Sequence, residues 1–276
     1  MKNLKRLARE LGFQEKMKEI QILAIGPFND IQFFYNDELQ FFDKETTEKI
    51  NKIWQEHLQK RPDDFPGTLA HALGVRKDRE TLEFDLQKTR YDIFIGTREP
   101  EKLRFLPKNK LWEGNYSLPL SFGAVTITSD NAIICGVRGK TGLESHKLTT
   151  LPSGYLNPDI HAISLDYAKG RKTLSFLSLV IAELKEELNL DWFEKIQILG
   201  VAQDCIGSQQ PLVVLRIHLS LTSKEVRERL EGAEKEIEKY IFLNNDVMSI
   251  RKAQAEGYQW TGHDYAKLIF HFALPE

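Results

Sequence analysis

A chain of 276 residues, 41% of them hydrophobic, can build one large domain or two small ones and is too apolar to stay disordered. Its formal net charge of -2 excludes the basic excess that nucleic-acid binding requires, and leaves a local site for an acidic small molecule open. The two cysteines, Cys135 and Cys205, have no metal-like spacing and read as buried thiols in a reducing compartment.

"MKNLKRLARELGF" predicts a short amphipathic helix with Leu4, Leu7, Ala8 and Leu11 on one face and Gly12 ending it. Charges interrupt its apolar runs, which excludes a signal peptide, and no run of the chain approaches membrane-spanning length. The expectation is a soluble cytoplasmic protein with no membrane or nucleic-acid partner; oligomeric state is not readable. "EIQILAI" and "IQFFY" read as strands around the turn signal "GPFND", with "ELQFF" as a candidate third. "TTEKINKIWQEHLQK" is helical, with Ile50, Ile53, Trp54 and Leu58 on one face. "ETLEFDLQ" alternates Leu82, Phe84 and Leu86 to one side, and "YDIFIGT" follows. These elements make the first 105 residues a small α+β unit, with a soft boundary in the aperiodic polar stretch before Tyr116.

From there to residue 276, "GAVTITSDNAIICGVR" predicts a hairpin around Ser-Asp-Asn. "HKLTTLPSGYLNPD" is a strand entering a Pro/Gly loop, and a helix is expected over about 173–188. Strands "IQILGVAQ" and "PLVVLRIHLSL", a charged helix from Ser223, the strand "KYIFL" and helices near 246–255 and 262–272 complete the chain. The order predicts a mixed sheet between helices.

The 173–188 helix carries Glu183, Glu186 and Glu187. Leu177, Val180, Ile181, Leu184 and Leu188 make its expected buried stripe. Carboxylates at this spacing destabilise a helix by roughly 0.2–0.5 kcal/mol per pair, and the C-terminal end of the helix dipole disfavours them further. No Lys or Arg stands at i±4 of any of the three. Two readings are level on the residues alone: a solvated acidic face, or a site for a hard divalent cation such as magnesium.

"AELKEELNL" resembles the helical half of the Nudix box, R-E-U-x-E-E-x-G-U with U aliphatic. Glu183, Glu186 and Glu187 fall on its three glutamates, and Leu184 and Leu190 on aliphatic positions. Asn189 replaces the glycine, a mild change because Asn tolerates the left-handed conformation at a helix end. Ala182 replaces the arginine. "LPSG" resembles the turn that opens the box, with Gly154 on its first glycine and a spacing to the helix longer than usual. The box is thus interrupted, and in this it is similar to the branch of Nudix hydrolases that cleaves UDP-glucose and UDP-galactose. "KIWQEHLQKRPDDF" and "YDIFIGT" resemble that branch as well.

The resemblance implies an α+β protein: a Nudix mixed-sheet α/β/α sandwich over residues 116–276 and an N-terminal α+β, substrate-covering region over 1–105. It implies a pyrophosphohydrolase of nucleoside diphosphate sugars that yields UMP and sugar 1-phosphate. Glu183 and Glu187 would hold magnesium, or manganese in its place, with Glu186 as a third catalytic carboxylate. The resemblance points to Phe65, Tyr91 and Arg138 as substrate contacts. Aromatic rings stack on uracil and a guanidinium suits phosphate; packed core aromatics and a rim salt bridge are the competing readings. Thr150, Tyr155 and Asn157 fall where the branch has charged or imidazole contacts and differ from it in type. His146, His161 and His263 read as surface or capping residues, and Asp204 as a loop acid or a residue orienting water. A nucleotide-sugar binder without turnover, motivated by Ala182, and a hydrolase of ADP-ribose or coenzyme A derivatives are the alternatives.

Overall fold

The computed structural model describes residues 4–98, 116–139, 144–166, 171–204, 209–230 and 237–275. Two sheets organise them. The larger has eight strands: β1 (Ile20–Phe28), β5 (Ser121–Ile127), β6 (Ala132–Arg138), β7 (Leu148–Thr150), β8 (Ser153–Tyr155), β11 (Lys195–Asp204), β12 (Pro211–His218) and β13 (Ile237–Asn244). Its order is β1-β11-β12-β5-β6-β13, with β7 on β6 and β8 on β5. It is mixed, because β12 and β5 run parallel while β11–β12 and β6–β13 run antiparallel. The smaller sheet orders β3 (Thr68–Asp78), β4 (Thr81–Arg90), β2 (Asp30–Leu39), β10 (Arg171–Leu174) and β9 (Ala162–Asp166).

The expected α+β class and α/β/α layering are present, and strand periodicity explains them. In β12, Val213, Leu215 and Ile217 face one core while Leu212 and Val214 face the other. β5 divides likewise, with Phe122 and Ala124 on the first face and Val125 and Ile127 on the second. Alternation at period two gives the sheet two apolar faces, and each needs a cover. The first is covered by α5 (Phe176–Leu188) together with the small sheet, whose Phe33, Tyr35, Leu82, Phe84 and Leu86 join that core. The second is covered by α1 (Leu4–Glu10), α7 (Val247–Ala255) and α8 (Gly262–Ala273). The α1 stripe is buried as its pattern predicts, with Leu7 and Leu11 fully inside and Gly12 in a left-handed turn at φ +77°. Arg216 of β12 reaches past the sheet to the end of α8, donating to the carbonyls of His271, Leu274 and Pro275. A cation on the last carbonyls of a helix satisfies groups that have no intrahelical partner.

Several sequence expectations change in detail. β1 and β2 run through "GPFND" rather than stopping short of it, and they do not pair with each other: β1 lies antiparallel on β11, and β2 lies between β4 and β10. Each sheet therefore takes strands from both halves of the chain. "ELQFF" adds no third strand, because β2 already extends to Leu39. β3, β8, β9 and β10 have no counterpart in the sequence reading. "YDIFIGT" is the helix α3 (Tyr91–Thr97), opened by an Arg90–Asp92 ion pair of 2.6 Å. No helix among the described residues is long and apolar enough to cross a membrane. Cys135 is buried, and burial pushes its thiol well above the usual range; Cys205 lies outside the described residues.

Candidate active site

α5 starts where the Ser175 hydroxyl accepts from the Ser178 N–H at 3.1 Å, a side-chain cap on an otherwise unsatisfied donor. It ends on Asn189, which takes the left-handed conformation (φ 52°, ψ 38°) and donates through its amide to the Arg229 carbonyl at 2.9 Å. Asn stands here in the role glycine more often fills. Leu179, Val180, Leu184 and Leu188 are buried against the large sheet. Leu177, expected on that stripe, is exposed, because in the first turn after the cap it faces outward.

The buried stripe turns the carboxylates toward β8. Glu187 is only 8% exposed; its Oε2 accepts the Ser153 N–H at 3.1 Å, and its own carbonyl accepts from the Tyr240 hydroxyl at 2.7 Å. Glu183, one turn earlier, lies against Gly154, where a Cβ would sit 1.9 Å from Glu183 Oε1. Glycine is required here by close approach of the carboxylate. Glu186 is the exposed member of the three.

The segment that meets them is anchored from behind by α8. Asp264, fully buried, accepts from the Thr150 N–H at 2.9 Å, from the Thr150 hydroxyl at 2.8 Å and from the Thr261 hydroxyl. Lys267, 1% exposed, pairs with Asp264 at 2.7 Å and donates to the Thr150 carbonyl at 3.0 Å. A buried ion pair of this kind holds geometry so long as both partners stay.

Glu183, Glu186 and Glu187 open on a cavity of about 570 Å³, within the usual range of small-molecule sites. Tyr91 and Tyr155 line its aromatic end and belong to a train of rings that runs behind the wall. Trp54 stacks on His57 at 5.2 Å, Tyr91 meets both edge-on, Phe94 lies 6.1 Å from Tyr91, and Tyr155 lies 6.2 Å from Phe94. Burial pushes the Tyr91 phenol up to about 12 and raises that of Tyr155 as well, so both stay neutral. Phe65 is 74% exposed at the rim. Arg138 and Lys267 bring positive charge to the lining.

No family model matches the chain, and no curated protein matches it. Among solved structures, the NUDIX hydrolase from Nitrosomonas europaea aligns with 57% of this chain and 90% of its own, at 15% identity and a TM-score of 0.38.

Of the residues singled out from the sequence, Glu183, Glu186, Glu187, Phe65, Tyr91, Arg138, Tyr155 and Asn157 all line this one cavity. Thr150 is fully buried, with its hydroxyl on Asp264, and its neighbour Thr149 takes the place on the wall. His161 is no surface residue. It is buried at the cavity wall, accepts the Asn157 N–H on Nδ1 at 3.1 Å, and is held neutral by desolvation. His263 also lines the wall, its imidazole lowered by burial. His146 is exposed beside Glu238. Asp204 is buried at the end of β11 and lines a separate cavity of about 390 Å³. Gln210, 5% exposed on the wall of the main cavity, was not anticipated. Its only sequence signal is a polar residue just before an apolar strand.

The donor set of α5 suits a hard cation, since oxygen ligands from carboxylates are what magnesium takes. Among the described residues no group of three or more His, Cys, Asp or Glu side chains converges on a common metal position. The fit therefore rests on the chemistry of Glu183 and Glu187 and on their shared approach to Ser153 and Gly154.

Proposed function

We propose that the chain is a divalent-metal-dependent pyrophosphohydrolase of the Nudix type that splits UDP-glucose or UDP-galactose into UMP and sugar 1-phosphate. One observation carries the reading: two carboxylates one helical turn apart meet the same glycine-containing strand inside a cavity that also presents cationic and aromatic walls. Glu183 and Glu187 would hold magnesium or manganese, with Glu186 beside them. The bound ion supplies neutralisation of phosphate charge and acidification of a water. Arg138 offers a forked donor for a diphosphate oxygen, and Phe65 and Tyr91 offer ring faces to uracil. Tyr155, Asn157 and the neutral His161 line the path between. The helix lacks the box arginine, and Ala182 cannot replace it. The Ser153 N–H and the Tyr240 hydroxyl, together with the Asn189 cap, brace Glu187 and the helix end instead.

In this reading residues 116–276 form the hydrolase unit and residues 1–105 supply the cover that brings Phe65 and Tyr91. β1 bridges the two on the large sheet, and β9–β10 on the small one. A cytoplasmic setting suits the Cys135 thiol.

The test is incubation with UDP-glucose, UDP-galactose, ADP-ribose and coenzyme A in oxygen-18 water with and without magnesium, followed by mass spectrometry. Label on a phosphate of UMP or sugar 1-phosphate, in the magnesium arm only, is the expected result. Label on free sugar with UDP as co-product would refute diphosphate cleavage. Turnover confined to adenine compounds would remove the UDP-sugar assignment. A second reading, a nucleotide-sugar binder without turnover, is favoured by Ala182 and by the lack of a convergent metal group among the described residues. Saturable binding with no product under any divalent ion would select it.

A further inference from the structure

Among the described residues, the wall between the aromatic and acidic ends of the cavity contains one unsatisfied acceptor. Gln210 is 5% exposed, its side chain hydrogen-bonds the Tyr155 phenol, and its Oε1 has no partner among the described residues. It is not a remote core amide. Tyr155 pairs with Ser121 across β8 and β5, and Ser121 pairs with Leu212 across β5 and β12, which places the residues just before β12 beside Tyr155 on the cavity floor. Buried polar atoms in folded proteins are nearly always paired, so an unpaired one on a side chain that lines a cavity marks a place for a ligand's donor.

Covalent connectivity says which donor. Resting on the proposed reading, a base at Phe65 and Tyr91 and a diphosphate at Glu183 and Glu187 leave only the pentose to span the middle. That middle is Tyr155, which continues the ring train from Tyr91 through Phe94 and directly follows Gly154 in the chain. The donors a ribose presents are its 2′ and 3′ hydroxyls. We infer that Gln210 is a specificity-determining residue whose amide oxygen accepts a ribose hydroxyl, with Tyr155 fixing the amide's orientation, so that the site takes ribonucleotides in preference to deoxyribonucleotides. A site built to bond a hydroxyl rejects the analogue that lacks it, because its own acceptor is then left bare.

The experiment is calorimetric titration of the full chain, in magnesium buffer, with UDP, 2′-deoxy-UDP and 3′-deoxy-UDP, and in parallel with ADP and its two deoxy analogues. The wild type should bind the ribonucleotide at least about tenfold more tightly than one of the two deoxy forms, a penalty of the size expected for a lost hydrogen bond to a buried partner. Gln210→Met keeps the length and removes the acceptor, and should bind all three with one weak affinity. Gln210→Glu keeps an acceptor and should retain the preference; it also carries the test if the Met variant fails to fold. A wild type indifferent to both deoxy analogues, or a preference unchanged in Gln210→Met, overturns the inference while leaving the UDP-sugar reading intact. Ribose preference seen only in the adenosine series supports the inference and removes the uridine assignment. Binding of neither series overturns both.

Discussion

Gly154→Ala tests the candidate site with a single methyl group. A Cβ at this position would lie 1.9 Å from Glu183 Oε1, 2.3 Å from its Cδ and 2.7 Å from its Cγ. Ordinary contacts begin at about 3.5 Å, so the carboxylate must retreat by about 1.6 Å, and the whole end of the side chain must move with it. Gly154 is not among the positive-φ glycines, so alanine meets no backbone strain there. The perturbation is therefore steric and is aimed at Glu183. Overpacking of this kind typically costs about 1–3 kcal/mol of stability. A displacement beyond 1 Å in a catalytic constellation costs on the order of 100-fold in rate. The assay is magnesium-dependent release of UMP from UDP-glucose, with thermal midpoints measured on the same preparations. The double variant Gly154→Ala/Glu183→Ala supplies the control: with the carboxylate removed, the added methyl should no longer destabilise, so the two stability effects will not add. Wild-type activity and metal dependence in Gly154→Ala would show that Glu183 at this position has no part in the chemistry. Additive stability losses in the double variant would refute the contact itself.

Glu187→Gln should remove magnesium-dependent turnover and leave the thermal midpoint within about 2 °C, because the amide can still accept the Ser153 N–H while the charge proposed to hold the metal is lost. Arg138→Ala should weaken UDP binding by roughly 1.5–3 kcal/mol with little change in stability, read by calorimetry; unchanged affinity would make Arg138 a rim residue. Asp264→Ala should destabilise by about 3–5 kcal/mol in urea unfolding, because Lys267 is left buried without its carboxylate. Burial lowers the His71 imidazole from 6.5 to about 4. The unfolded chain therefore takes up a proton before the native one does, and the His71 contribution, full above pH 6.5, is lost as the pH falls to about 4. That loss amounts to about 3 kcal/mol; His71→Gln, which can still accept the Leu118 N–H, should flatten this part of the pH–stability curve.

What could be read from the sequence is what depends on near neighbours. Leu82, Phe84 and Leu86 alternate and are all buried. The β5–β6 turn bends at Asn131, in the left-handed region that Asn tolerates. Asn189 ends α5 for the same reason. These features are set by side-chain period and local turn chemistry, and they survive whatever packs around them. The Thr150 hydroxyl could not be assigned in this way. Its partner Asp264 is 114 residues away, and only the fold decides that the hydroxyl faces the helix rather than the cavity. His161 and His263 are lone histidines in polar surroundings, and nothing local distinguishes a cavity wall from solvent. Gln210 gives no more sign in the sequence than a polar residue before an apolar strand, because an unsatisfied acceptor exists only once everything around it is placed.

The strand partners were the largest unread part, and their distance in sequence is why. β1 and β2 are separated by one residue, Asn29, and two strands so placed usually form a hairpin. They part instead, β1 to β11 and β2 to β4 and β10. The composition of the two strands accommodates this. β1 is largely half-buried along its length, which suits an edge of the large sheet, whereas β2 buries Phe33 and Tyr35 into the core shared by both sheets. The reverse exchange occurs at β9–β10, which leave the chain between β8 and α5 to extend the small sheet. That excursion is also where the box-like segment is lengthened, between Gly154 and Glu183. The longer segment thereby reaches the small sheet, where β10 pairs with β2 and β9. The small sheet and the glutamate helix share one apolar core through Phe176, which packs 6.1 Å from Phe33 and 5.9 Å from Phe122. A change at Phe33 is thus one ring away from the first turn of α5, the helix that positions Glu183 and Glu187.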